Sequence, residues 1–129
     1  MADTKPQPGT VGWIDLTTLA ARDRLEFYRR VVGWEMGEVA MGEYSDFTVH
    51  TEVGSPPVAG ICHARGANSG VPTDLWIPYF VVVNHDAAVD AAFAAGGVRA
   101  HGPVEVPGSG RFTILRDPGG AVFAVGQFD

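Results

Sequence analysis

The sequence predicts an α+β fold built from two tandem βαβββ modules. Three observations carry that reading. Trp13-Ile14-Asp15-Leu16 leads into a helical pattern that stops at Gly33-Trp34, and Ile77-Pro78-Tyr79-Phe80 leads into a second that stops at Gly96-Gly97, at a constant offset of 64 residues. Two strand-like runs follow each helix: Phe47-Thr48-Val49 recurs as Phe112-Thr113-Ile114, and Val58-Ala59-Gly60-Ile61 recurs as Val122-Phe123-Ala124-Val125. If the segment before the second strand also forms a short strand, both halves read β-α-β-β-β, and an internal repeat of this kind decides the fold before any motif does.

The elements follow in order. Residues 12–18 alternate, with Ile14, Leu16 and Thr18 on one side and Trp13, Asp15 and Thr17 on the other. Residues 20–32 carry a helical stripe of Leu25, Tyr28 and Val32, flanked by Phe27 and Val31. Residues 35–43 read as a loop or edge segment. Residues 44–50 alternate again, Phe47 and Val49 against Tyr44, Asp46, Thr48 and His50; on the next strand Val58, Gly60 and Cys62 share a face. The stretch 64–75, with Gly66, Asn68, Ser69, Gly70 and Pro72, reads as a linker without regular structure. The strand at 76–83 turns Ile77, Tyr79, Val81 and Val83 one way, and a helix runs from Asp86, taken as its N-cap, to Ala95. Asp117-Pro118-Gly119-Gly120 closes the last hairpin. The expected organisation is a flexible lead-in over residues 1–10 and one domain over 11–128, made of modules 11–63 and 76–128 joined by linker 64–75.

Composition bounds the function. At 129 residues, 46% hydrophobic and 19% charged, the chain is one ordinary globular domain with a core of its own. A net charge of −6 disfavours nucleic acid and anionic membrane surfaces. No apolar run is long enough to span a bilayer, and no charged-then-apolar leader opens the chain, so a cytoplasmic location is expected. Cys62 is the single cysteine, which rules out an internal disulfide.

Three local signatures, in this order and at this offset, add a family. They are Phe27-Tyr28 followed by Gly33-Trp34-Glu35, then Asp86-Ala87-Ala88-Val89, then Asp117-Pro118-Gly119-Gly120. The chain resembles the vicinal oxygen chelate superfamily: glyoxalase, bleomycin resistance protein and extradiol dioxygenase. The resemblance spans residues 11–128 and implies a curved mixed sheet around a concave ligand groove. Catalytic members hold a metal at four symmetric positions, which fall here on Trp13, Gly60, Ile77 and Ala124. None of these has a lone pair suited to a divalent cation. The resemblance therefore implies a metal-free branch with no cofactor, and a homodimer.

The groove-facing residues expected to bind a ligand are Trp13, Asp15, Tyr44, Thr48, His50, Gly60, Cys62, Trp76, Tyr79 and Ala124. Apolar walls with a few orienting polar atoms are the usual make-up of an organic-ligand pocket. Plainer roles stand beside this one. Trp13 fills a dead metal site instead of stacking on a ligand, Cys62 is a small buried hydrophobe, and His50 is solvated at a strand end. His63, His85 and His101 read as surface or loop residues. The function expected is metal-independent binding and sequestration of an aromatic small molecule, as in bleomycin-type antibiotic resistance. The alternative is a metal-independent lyase, isomerase or hydrolase acting on a small carbonyl or polyketide-like substrate, with Asp15 as base and His50 or Tyr79 as acid. A third reading is an accessory subunit with a vestigial pocket.

Overall fold

A computed structural model describes residues 6–129. The first half of the expected lead-in, residues 1–5, lies outside the described residues. Beyond it the chain turns at residues 8–10, and Gly9 and Thr10 bond the backbone of Val81 (N···O 2.7 and 2.9 Å). The chain divides into two compact units, one over residues 14–76 and one over residues 77–129 together with the chain up to Trp13.

The first module contains β1 (Val11–Thr18), α1 (Ala21–Val32), β2 (Glu35–Ala40), β3 (Ser45–His50) and β4 (Pro57–His63), in sheet order β2-β3-β4-β1. The second contains β5 (Trp76–Val81), α2 (His85–Ala94), β6 (Val98–Val106), β7 (Gly110–Arg116) and β8 (Val122–Phe128), in the equivalent order β6-β7-β8-β5. Each module joins its first and last strands in parallel and its other neighbours antiparallel. The fold is α+β with two βαβββ modules, as the repeat predicts, and the segment after the first helix is a true strand. The linker holds only a short 3₁₀ turn, Gly66–Asn68.

In the first module Leu16, Phe47, Val49, Ala59 and Ile61 pack with Ala21 and Leu25 of α1, while Tyr28, Trp34 and Trp76 close the side of the core. The buried stripe of α1 is thus Ala21, Leu25 and Tyr28, at i, i+4 and i+7. Phe27, Val31 and Val32, expected beside or within it, are more than half exposed: Phe27 and Val31 fall off the stripe on a 3.6-residue turn, while Val32 is in line with it but is the last residue of the helix. Gly33 ends the helix in the left-handed region (φ 82°), with its N–H on the Arg29 carbonyl. In the second module Val89 of α2 packs on Leu115 and Val125. The N-cap of α2 is Asn84, not Asp86: the Asn84 side chain accepts from the Ala87 N–H at 3.0 Å.

The ladders keep the repeat and correct one part of it. Asp15 pairs with Gly60, and Tyr79 with Ala124, 64 residues on. Phe47, however, faces Ile61 while Thr113 faces Val125. The counterpart of Phe47 is therefore Thr113, not Phe112. A one-residue slip inverts the faces, so Thr113 and Leu115 point towards α2, and Phe112 and Ile114 point away from it.

No described helix is long and apolar enough to cross a membrane.

Candidate functional site

With Leu16, Phe47, Val49, Ala59 and Ile61 committed to α1, strand alternation sends Asp15, Thr17, Asp46, Thr48, His50, Gly60 and Cys62 to the other, inner face of the first half-sheet. One cross-strand row there runs Asp15, Gly60, Thr48, Gly37. At ordinary strand spacing Asp15 and Thr48 stand roughly 10 Å apart across bare Gly60 backbone. Both are half-buried, and Gly60 is buried.

The next step along β3 fixes the polarity of Thr48. His50 Nδ1 lies 2.7 Å from the Ser55 carbonyl, and its Nε2 lies 2.8 Å from Thr48 Oγ1. A carbonyl only accepts, so the neutral ring carries its proton on Nδ1 and takes the Thr48 hydroxyl proton at Nε2. Gly37 makes the pair possible. A Cβ at Gly37 would sit 2.8 Å from Thr48 Oγ1 and 3.1 Å from His50 Nε2. His50 is therefore held at both nitrogens, not solvated.

One row further, Asp46 is buried and accepts the His63 backbone N–H at 2.8 Å and the Asn68 amide at 3.5 Å. Burial pushes the Cys62 thiol well above its ordinary range; the carboxylates of Asp15 and Asp46, and a hydrogen bond to Asp46, push it further. Cys62 stays a protonated thiol at neutral pH, unsuited to nucleophilic attack or metal ligation. His63, expected at the surface, packs against Tyr44 and Phe47. Its Nδ1 is 3.4 Å from Asp46 Oδ1 but is not aligned as a hydrogen bond, which leaves that nitrogen buried and unsatisfied. Tyr44 stands at the rim, its hydroxyl donating to the Arg65 carbonyl (3.2 Å) under the Arg65 guanidinium (4.2 Å from the ring centroid).

The equivalent row of the second module is Tyr79, Ala124, Ile114, His101. Tyr79 is 5% exposed, Ala124 and Ile114 are fully buried, and Phe112 meets the Tyr79 ring edge-on at 5.0 Å. His101 is thus a strand residue, not a loop one. Trp13 is half-buried on β1. Trp76 stands apart from the other nine residues named from the sequence. Its indole N–H donates to the Tyr28 hydroxyl (3.0 Å), and its ring stacks edge-on with Tyr28 and Trp34 on the helix side of the sheet. The structure thus gathers Asp15, Thr48, His50, Gly60 and Cys62 on one face with Tyr44 at its rim, and places Tyr79 and Ala124 side by side in the other half.

The four family metal positions hold an indole, a bare backbone, an aliphatic chain and a methyl group, a donor set that does not fit a divalent cation. Among the described residues no three His, Cys, Asp or Glu side chains converge elsewhere to hold one.

Sequence reasoning missed two groups. Ser55 orients His50 through a backbone carbonyl, which no side-chain pattern reveals. His85, expected at the surface, is 4% exposed. Its Nδ1 contacts Asp86 Oδ1 (2.8 Å), its Nε2 contacts Thr113 Oγ1 (2.7 Å), and its backbone N–H donates to Gln127 (2.8 Å). The bond from His85 holds the Asp86 carboxyl below its usual range, with Arg111 adding to it. A carboxylate, imidazole and hydroxyl in line can activate a nucleophile, but Thr113 is 1% exposed. The trio ties α2 to β7, and the Gln127 bond ties it to β8. The misread counterpart of Phe47 is what hid it.

The family model described as Glyoxalase/Bleomycin resistance protein/Dioxygenase superfamily matches residues 10–125. The chain belongs to that superfamily. It is 34% identical over 119 residues to CFP32 of Mycobacterium tuberculosis, provisionally named a glyoxylase, covering 92% of this chain and 44% of that protein. It is 32% identical over 124 residues to the anthracycline biosynthesis protein DnrV of Streptomyces peucetius, covering 96% and 43%. The chain thus spans less than half the length of the curated relatives it matches. Methylmalonyl-CoA epimerases of Streptomyces coelicolor (TM-score 0.58, 14% identity, covering 94% of this chain and 98% of that one) and Mycobacterium tuberculosis (0.54, 13%, covering 98% and 92%) share the fold of this superfamily member.

Proposed function

We propose that this superfamily member binds a largely aromatic small molecule on the inner faces of its modules without a metal ion and holds it unchanged, in the manner of bleomycin-type resistance proteins. Residues 11–128 act as one domain, in the cytoplasm and as a homodimer. One observation carries the reading: the four metal positions have lost every donor, while the row beside them keeps orienting groups, Asp15 and Thr48, around a bare Gly60. Recognition survives where the means of metal chemistry do not. Trp13 and Tyr79 supply the aromatic walls, and stacking contributes on the order of 0.5–1.5 kcal/mol beyond area burial.

The match to anthracycline biosynthesis proteins favours an aromatic polyketide-like ligand. It also supports a second reading, a metal-independent lyase, isomerase or hydrolase with Asp15 as base. His50 is a poor acid in that scheme, since both ring nitrogens are engaged.

The test is a tryptophan-fluorescence titration of chelator-treated protein against flat aromatic natural products, with mass spectrometry of the recovered ligand. Saturable quenching with unaltered ligand supports sequestration; conversion that disappears in Asp15→Asn moves the reading to an enzyme. Trp13→Ala should weaken binding by about 1–3 kcal/mol, and unchanged affinity removes Trp13 from the site. Light scattering after size exclusion checks the dimer.

A further inference from the structure

We propose that Thr48 is a specificity-determining acceptor that selects ligands presenting a hydroxyl or ammonium donor, because His50 holds the Thr48 proton. The inference rests on the binding reading above and names the ligand chemistry of that site.

Three linked groups set the direction. The Ser55 carbonyl takes the proton on His50 Nδ1 at 2.7 Å, so His50 Nε2 is a lone pair, and the Thr48 hydroxyl 2.8 Å away points its proton at it. A hydroxyl has one proton and two lone pairs. With its proton committed, Thr48 can only accept from a ligand. A ligand over the row of Thr48 and Gly60 that presents only acceptors sets lone pair against lone pair at Thr48.

Gly37 leaves the room this pair needs: a Cβ there would sit 2.8 Å from Thr48 Oγ1 and 3.1 Å from His50 Nε2.

The experiment titrates the whole chain with 2-naphthol, a donor, and its methyl ether 2-methoxynaphthalene, an acceptor only. The expected result is 2-naphthol bound about tenfold more tightly. Thr48→Val should erase the preference, Thr48→Ser should restore it, and His50→Ala, which frees the Thr48 proton, should lower the ratio severalfold with Thr48 still in place. Thermal unfolding of each variant separates lost folding from lost selection. Equal binding of the two probes by the native chain, or a preference that persists in Thr48→Val, overturns the inference and leaves the binding reading standing. Binding of neither probe, nor of the aromatic panel, overturns both.

Discussion

The two modules share a ladder register and differ in what that register carries. On the inner face the first module places Asp15, Gly60, Thr48 and Gly37 in one row, where the second places Tyr79, Ala124, Ile114 and His101. On the helix face the assignment reverses: the first packs the Phe47 ring, and the second puts Thr113 in the same place and bonds it to a buried histidine. Each module has one apolar face and one that carries polar groups, but the polar face looks inward in one and towards its helix in the other. The backbone was duplicated; the chemistry was divided.

The largest effect expected from breaking this contrast is at the first helix face. Phe47→Ala empties a site 1% exposed and should cost about 3–5 kcal/mol, read from denaturant unfolding. At the equivalent position Thr113→Val keeps the volume and should still cost about 1–3 kcal/mol, because His85 Nε2 is left buried without a partner; a neutral result would mean that the trio is not structural. Cys62 gives a pH-dependent signature. Its folded thiol titrates above its ordinary 9.0, so the unfolded chain releases that proton first. The associated stability is full below about pH 9 and declines as pH rises above it. Cys62→Ala should flatten that alkaline decline, and the native thiol should react with a disulfide reagent at least about tenfold more slowly than the unfolded one. Asn84→Ala should cost about 1 kcal/mol through loss of the α2 cap, against a first helix whose N-cap, Ala20, makes no side-chain bond. Smallest is Glu26→Ala, which removes two exposed pairs with Arg29 and Arg30 and should move stability by less than about 0.5 kcal/mol.

Most of the fold was legible because an internal repeat is a long-range signal. The constant offset located both helices and the strands around them, and alternation placed Asp15, Thr48, His50, Gly60 and Cys62 on one face. What stayed hidden is local and cooperative. A shift of one residue between β3 and β7 is invisible when Phe-Thr-Val and Phe-Thr-Ile match so well, yet it decides that Thr113 faces α2 and so that His85 has a reason to be buried. Trp76, named among the site residues, stands on the face opposite Ile77 and Tyr79 by the same alternation, and its bond to Tyr28 fixes it on the helix side. The choice between Asn84 and Asp86 as cap turns on backbone angles that two polar residues on either side of His85 do not reveal.

The Trp34–Trp76 pair has an optical consequence. With ring centroids 5.9 Å apart at an interplanar angle of 71°, the two indoles are close and skewed enough for their excited states to couple. Native protein should therefore show a paired positive and negative band in its circular dichroism that vanishes in Trp34→Phe or Trp76→Phe and survives Trp13→Phe. The cluster is a built-in chromophore on the helix side of the first module, so this signal reports the integrity of that module independently of Trp13.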